Sequence, residues 1–88
     1  MKLKYSTKSL KQLEKIYAFI AKHNPDAAAS TIEELLDAAD LLLDNPRLGR
    51  IGRKKGTREL NHPPFVIVYQ QLEVLIYVTA VFHGNQRY

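Results

Sequence analysis

Apolar positions recur along this chain with two different spacings, and the change from one to the other divides it. From Leu10 to Leu43 they fall three and four residues apart, the spacing of helices with one buried stripe. After Gly56 they crowd into runs of Val, Ile, Tyr and Phe that suit a pleated, half-buried surface. Leu10, Leu13, Tyr17 and Ile20, widened by Ile16 and Phe19, predict a first helix capped by Ser6 and running to about His23. Asn24-Pro25 ends that helix and begins a second, because proline in the first turn loses no needed N–H. The second helix is expected to reach about Asp44, with Ala28, Ile32, Leu35, Leu36, Ala39, Leu42 and Leu43 on its apolar face. Most of the chain's acid lies on its outer face. The small run Ala27-Ala28-Ala29 lets the two helices approach closely as an antiparallel hairpin.

The β-rich half predicts two central strands, Phe65 to Tyr69 and Val74 to Phe82. Between them Gln70-Gln71-Leu72-Glu73 carries no Asn-Gly or Asp-Gly, which points to a hairpin loop of three to five residues and to antiparallel pairing. Thr57 to Leu60 predicts a third strand, interrupted by His62-Pro63-Pro64 because successive prolines offer no N–H donors. Lys2 to Tyr5 alternates charged and apolar residues, the pattern of a short edge strand with its lysines outward. The expected fold is α+β: an N-terminal edge strand and a two-helix antiparallel hairpin packed on one face of a mostly antiparallel three- to four-stranded sheet, in a single domain spanning residues 1–88.

Composition narrows the chemistry. A chain of 88 residues buries only roughly 60 to 65% of its unfolded surface, so stability should be marginal. Without cysteine, neither a disulfide nor a thiolate is available, and no apolar run approaches the roughly 20 residues that cross a bilayer. With no signal-peptide core at Met1-Lys2-Leu3-Lys4-Tyr5-Ser6, a cytoplasmic protein without membrane partners is expected. The net charge of +4 allows a nucleic-acid or an acidic protein partner. Five of the thirteen basic residues (Arg47, Arg50, Arg53, Lys54 and Lys55) sit in a loop punctuated by Gly49, Gly52 and Gly56, and Arg58 follows at once. Those glycines make no phosphate-binding fingerprint, since neither a preceding strand nor a following helix frames them.

His83, Arg87 and Tyr88 end the chain, and an antiparallel last strand can bring them near the loop. A basic patch flanked by imidazole and aromatic groups suits phosphate contacts and base stacking; a solvated loop that keeps a basic protein in solution has the same composition. His83 could serve as a general acid or base, but by itself it reads first as a polar strand end. His23 reads as a helix C-terminal cap, and Tyr69 and Tyr77 as core or cross-strand residues. The histidines share no metal-ligand spacing, so no metal is expected, and nothing implies a cofactor.

Four segments then appear in a telling order: Asn45-Pro46-Arg47-Leu48-Gly49, Gly56-Thr57-Arg58-Glu59-Leu60, Val66-Ile67-Val68-Tyr69 and Val81-Phe82-His83-Gly84 followed by Arg87. Behind an edge strand and a helix hairpin, they resemble the RelE/ParE superfamily of type II toxin–antitoxin toxins over almost the whole chain, and look closer to the ParE branch. The resemblance implies a small toxin, of the kind tied to plasmid stabilisation, held inactive by a cognate antitoxin that wraps the hairpin and sheet. Such a toxin meets DNA only indirectly, through the antitoxin. ParE-like members inhibit DNA gyrase without known catalytic chemistry, which would make Arg50, Arg53, Lys54, Lys55, Arg58 and Arg87 target-binding residues. RelE-like members are ribosome-dependent mRNA endonucleases, or mRNA interferases, and on that pattern Arg58, His83, Arg87 and Tyr88 would be catalytic. The RelE branch's compact lysine-rich segment is missing, which favours gyrase over the ribosome and mRNA. A degenerate member that only binds antitoxin is the third alternative.

Overall fold

The computed structural model describes residues 1–86. Its elements are β1 (Lys2–Tyr5), α1 (Thr7–Ala21), α2 (Pro25–Asp40) with a 3-10 turn at Leu41–Leu43, β2 (Arg50–Ile51), β3 (Arg58–His62), β4 (Phe65–Gln71) and β5 (Leu75–His83). The strands form one five-stranded sheet in the order β1-β5-β4-β3-β2, with β1 parallel to β5 and every other pair antiparallel. Both helices pack on one face, where Leu13, Leu35 and Leu42 meet Ile67, Tyr69 and Val78. The expected architecture is therefore present, with β2 as an additional strand inside the glycine-punctuated loop.

The sheet edge explains how α1 is anchored. β1 pairs with β5 only as far as Val78, so the outer backbone of β5 beyond that point needs other partners. Residues at the start of α1 supply them. Ser6 Oγ donates to Thr79 O at 3.1 Å while accepting the Ser9 N–H as the helix N-cap, and Gln12 Oε1 accepts the Val81 N–H at 2.7 Å. Asn24 caps α2 in the same way, its Oδ1 accepting the Ala27 N–H, with Pro25 in the first turn.

Two sequence expectations need correction. The stripe on α1 is narrower than its apolar residues indicate: Leu13 is buried and Ile16 and Ile20 partly so, but Leu10, Tyr17 and Phe19 remain 48%, 42% and 63% exposed. A helix lying on a sheet buries one arc of its surface, and on α1 that arc holds the small, fully buried Ser9 beside Leu13. The prolines also do not break the ladder. His62 still pairs with Phe65, and Pro63-Pro64, joined by a cis peptide, occupies the two corner positions of the hairpin, where no ladder donor is needed. The second hairpin has a three-residue loop, Leu72-Glu73-Val74, closed by Leu72 N–H to Leu75 O at 2.8 Å.

β5 contains the irregularity that matters most for the site. Val68 pairs with Ala80 while Tyr69 pairs with Val78, leaving Thr79 as an extra residue. Before this bulge Ile76 and Val78 face the helices; after it Val81 does, and Ala80 and Phe82 join Val66 and Val68 in a second apolar cluster on the opposite, open face. One extra residue exchanges the two faces of the strand for everything that follows.

Candidate functional site

The segment after α2 is pinned to the sheet by a buried tyrosine. Tyr69 is fully buried, and its hydroxyl donates to Pro46 O at 2.7 Å and accepts the Gly49 N–H at 2.9 Å. Burial raises its pKa, which keeps the proton needed for the first of these bonds. Arg58 Nη1 donates to Gly49 O at 2.7 Å, so both backbone groups of Gly49 are held. A Cβ at Gly49 would stand 2.8 Å from the Tyr69 ring and hydroxyl and 2.9 Å from Glu59 O, which is why this position admits only glycine without displacement.

Beyond Gly49 the chain forms β2 and then a tight turn. Gly52 N–H donates to Thr57 O at 2.8 Å, and the Thr57 hydroxyl donates to Lys54 O at 2.6 Å. Gly56 closes the turn with φ of +82°, a left-handed conformation costly for any residue with a Cβ. Lys54 and Lys55 are thereby carried, exposed, at the tip.

The electrostatic centre of the loop is Glu59, whose side chain is 1% exposed. Arg53 donates to it from its backbone N–H at 2.9 Å, from Nε at 3.1 Å and from Nη2 at 3.0 Å, and Arg50 Nη2 approaches at 3.4 Å. These bonds, those of the Arg53 side chain foremost, outweigh the cost of burial and hold the Glu59 carboxyl at about 2. The Arg53 guanidinium also lies 5.5 Å from the centre of the Phe82 ring, covering part of the open-face apolar cluster. Loop and last strand therefore do meet.

The residues singled out from sequence are divided by the sheet itself. Cross-strand partners share a face, so the row Arg50, Glu59, Val68, Ala80 lies on the open side and the row Ile51, Arg58, Tyr69, Val78 on the helix side. Arg50, Arg53, Lys54 and Lys55 come together; Arg58 supports them from the other face. Simple alternation along β5 would put His83 on the open face, but the Thr79 bulge turns it to the helix side, edge-on to Phe65 with ring centres 5.8 Å apart. Its register partner Phe65 pairs with His62, four residues along β3 from Arg58, a separation of roughly 13 Å at the rise of a strand. His83 Nδ1 accepts the Asn85 N–H at 3.1 Å, leaving Nε2 to carry the proton of the neutral ring. His23 is exposed in the turn between the helices, and Arg87 and Tyr88 lie outside the described residues.

His83 instead borders a groove of ≈ 530 Å³ beside α1, walled by Ile16, Phe19, Ile20, Phe65 and Val81, with Gln12 and Lys15 on its rim. This groove and the anchoring roles of Glu59 and Tyr69 were not read from sequence. Glu59 left a usable signal: it is the one acid between Asp44 and Glu73, set within the chain's most basic stretch. Tyr69 left none, because a tyrosine in an apolar strand looks the same whether or not its hydroxyl holds a loop.

Residues 3–88 match the family described as ParE toxin of the type II toxin–antitoxin system, parDE. The Sinorhizobium fredii protein "Putative toxin Y4kP" is 34% identical over 99% of this chain and 92% of its own. The chain belongs to the ParE family of type II toxin–antitoxin toxins. Solved structures repeat the fold of this ParE-family toxin. A chain of the chromosomal ParDE system from P. aeruginosa superposes with a TM-score of 0.83 at 22% identity, covering 94% of this chain and 95% of that one. A chain of the intact E. coli RelBE toxin–antitoxin complex gives 0.70 at 17% identity, covering 96% of both. One from the RelBE2 complex of Mycobacterium tuberculosis gives 0.66 at 20%, covering 93% of this chain and 88% of that one.

Proposed function

We propose that this toxin acts in the cytoplasm as a binding inhibitor of DNA gyrase and is neutralised by a cognate antitoxin. The observation that carries the inhibitor reading is the separation of Arg58 from His83. A nuclease needs its acid, base and phosphate ligands within hydrogen-bond reach of one scissile group, at ~2.6–3.2 Å, and these two candidates sit at opposite ends of the sheet with Arg58 engaged on a backbone carbonyl. The loop fits binding. Lys54 and Lys55 project, exposed, from a turn braced on both sides, and Ile51 in β2, which leads into that turn, is 75% exposed. A rigidly held basic turn next to an exposed apolar strand suits a protein partner that handles nucleic acid.

The antitoxin's place in this reading is the groove beside α1. Its exposed Phe19 and partly covered Ile16 and Ile20 can take the apolar face of an amphipathic helix, and Lys15 on the rim favours acidic residues beside that face. The relatives of known structure include complexes of toxin with antitoxin. Titrating purified protein into a gyrase supercoiling assay and, in parallel, into programmed ribosomes tests the target. Loss of supercoiling with intact mRNA is expected. Codon-specific cleavage that disappears in Arg58→Ala, with supercoiling untouched, would make the chain a ribonuclease; no effect in either assay, with antitoxin still bound, would make it a degenerate member.

A further inference from the structure

We propose that Glu59 is a positioning residue that sets target selectivity: it holds the Arg50 and Arg53 guanidiniums against the open face of the sheet, giving the basic loop one geometry and withholding both cations from indiscriminate binding to polyanions. The functional half of this inference rests on the reading of the loop as the target contact. Its physical half does not.

The geometry is that of a clamp. A carboxylate on a strand, almost wholly out of solvent, receives four donors from the loop that passes over it, and three of them belong to Arg53. The backbone N–H of Arg53 is among the three, so the bond fixes the path of the main chain as well as the side chain. Phe82 supports the guanidinium from the next layer of the open face. The turn that follows, closed by the Thr57 hydroxyl on Lys54 O, is thus braced at its entry by Glu59 and at its exit by Thr57. Ordering a loop costs conformational entropy, and a braced loop meets that cost before it meets its partner.

A chain with net charge +4 and five cations in one loop is attracted to any nucleic acid, and such attraction is insensitive to sequence or shape. Pairing two guanidiniums with a buried carboxylate lowers that attraction while leaving the lysines at the tip exposed. Selectivity gains on both counts: the intended partner meets a formed surface, and competing polyanions meet fewer available charges.

The test compares wild type with Glu59→Gln, which keeps the shape and removes the charge, and with Arg53→Lys, which keeps the net charge and removes the two-pronged hydrogen bond. Each protein is melted by circular dichroism, digested briefly with trypsin, and titrated with heparin and a random-sequence DNA duplex across a salt series. For Glu59→Gln, trypsin should cut the 50–56 loop at least tenfold faster, and the duplex salt slope should steepen by about 0.9 for each guanidinium released. For Arg53→Lys, cutting should accelerate with little change in the salt slope. In the supercoiling assay Glu59→Gln should inhibit gyrase at least tenfold less well, although it binds duplex more tightly. Cutting of a folded variant throughout the chain, with no preference for the loop, would show general destabilisation in place of a released loop and would also overturn the inference. If Glu59→Gln fails to fold, Arg53→Lys carries the geometric test alone. Loop cutting equal to wild type, or an unchanged salt slope in folded Glu59→Gln, overturns the inference whatever gyrase does. If wild type leaves gyrase unaffected, the proposed target falls and the proteolysis and polyanion readouts still decide the clamp.

Discussion

Removing one oxygen atom from the core should loosen the loop's anchor. In Tyr69→Phe the ring keeps its place among Ile67, Val78 and Leu42, but the Gly49 N–H and Pro46 O both lose their partner. Gly49 is buried and Pro46 partly so, which limits how well water can replace the hydroxyl. A buried polar group left without a partner costs about 1–3 kcal/mol, so two groups of unequal burial should together cost about 2–4 kcal/mol. A chain of 88 residues has a total stability of only ~4–13 kcal/mol. At about 4–8 °C per kcal/mol for a domain of this size, Tm should fall by roughly 10–30 °C. Gly49→Ala drives a Cβ into the same hydroxyl and into Glu59 O, and overpacking of this kind costs about 1–3 kcal/mol. The double variant removes the collision with the oxygen but not those with the ring carbon and Glu59 O, so the two costs should fall short of additivity by about 0.5–1.5 kcal/mol. Calorimetric melts of wild type, both single variants and the double variant complete the cycle. A Tm for Tyr69→Phe within 3 °C (about 1 kcal/mol or less) of wild type, or strictly additive costs, would refute the anchoring argument.

Acid should release the Glu59 clamp. Its carboxyl titrates at about 2 when folded against an ordinary 4.5, so its contribution is fully present above about pH 4.5 and is lost as pH falls through about 2. That loss amounts to about 3 kcal/mol at 1.36 kcal/mol per pH unit, and Glu59→Gln should lack this part of the acid transition in a chemical-denaturation series across that window. On α1, Leu13→Ala should destabilise by about 2–5 kcal/mol in urea melts and Leu10→Ala by less than about 1, since only the first side chain is buried. Gly56→Ala should cost about 1–2 kcal/mol from its left-handed backbone despite open space around the Cβ, and Gly56→Asn should cost less; thermal melts of the pair check the order. Saturating antitoxin, at a hundredfold excess over its Kd, should stabilise the toxin by about 2.7 kcal/mol in a thermal shift, and Phe19→Asp should weaken that capture.

Much of the fold was legible in the order of residues because it follows from local rules. Three- and four-residue spacing marked α1 and α2, Ser6 and Asn24-Pro25 marked their starts, and β-branched runs marked β4 and β5, since each signal acts within one or two turns of chain. The cluster of Arg50, Arg53, Lys54 and Lys55 was equally plain, being contiguous. The arrangement of the site was not. Which arc of α1 is buried depends on where the helix crosses the sheet, so Leu10 and Leu13 look alike until the packing separates them. Arg50 and Arg58 carry the same charge eight positions apart, yet register with Glu59 and Tyr69 assigns them to opposite faces. Most consequential is Thr79: one unpaired residue in β5 moves His83 from the side of the basic loop to the side of the helices. Alternation along a strand is a property of sequence, but a bulge arises only when two strands pair and their apolar faces must both find cover, and that is settled by the whole sheet.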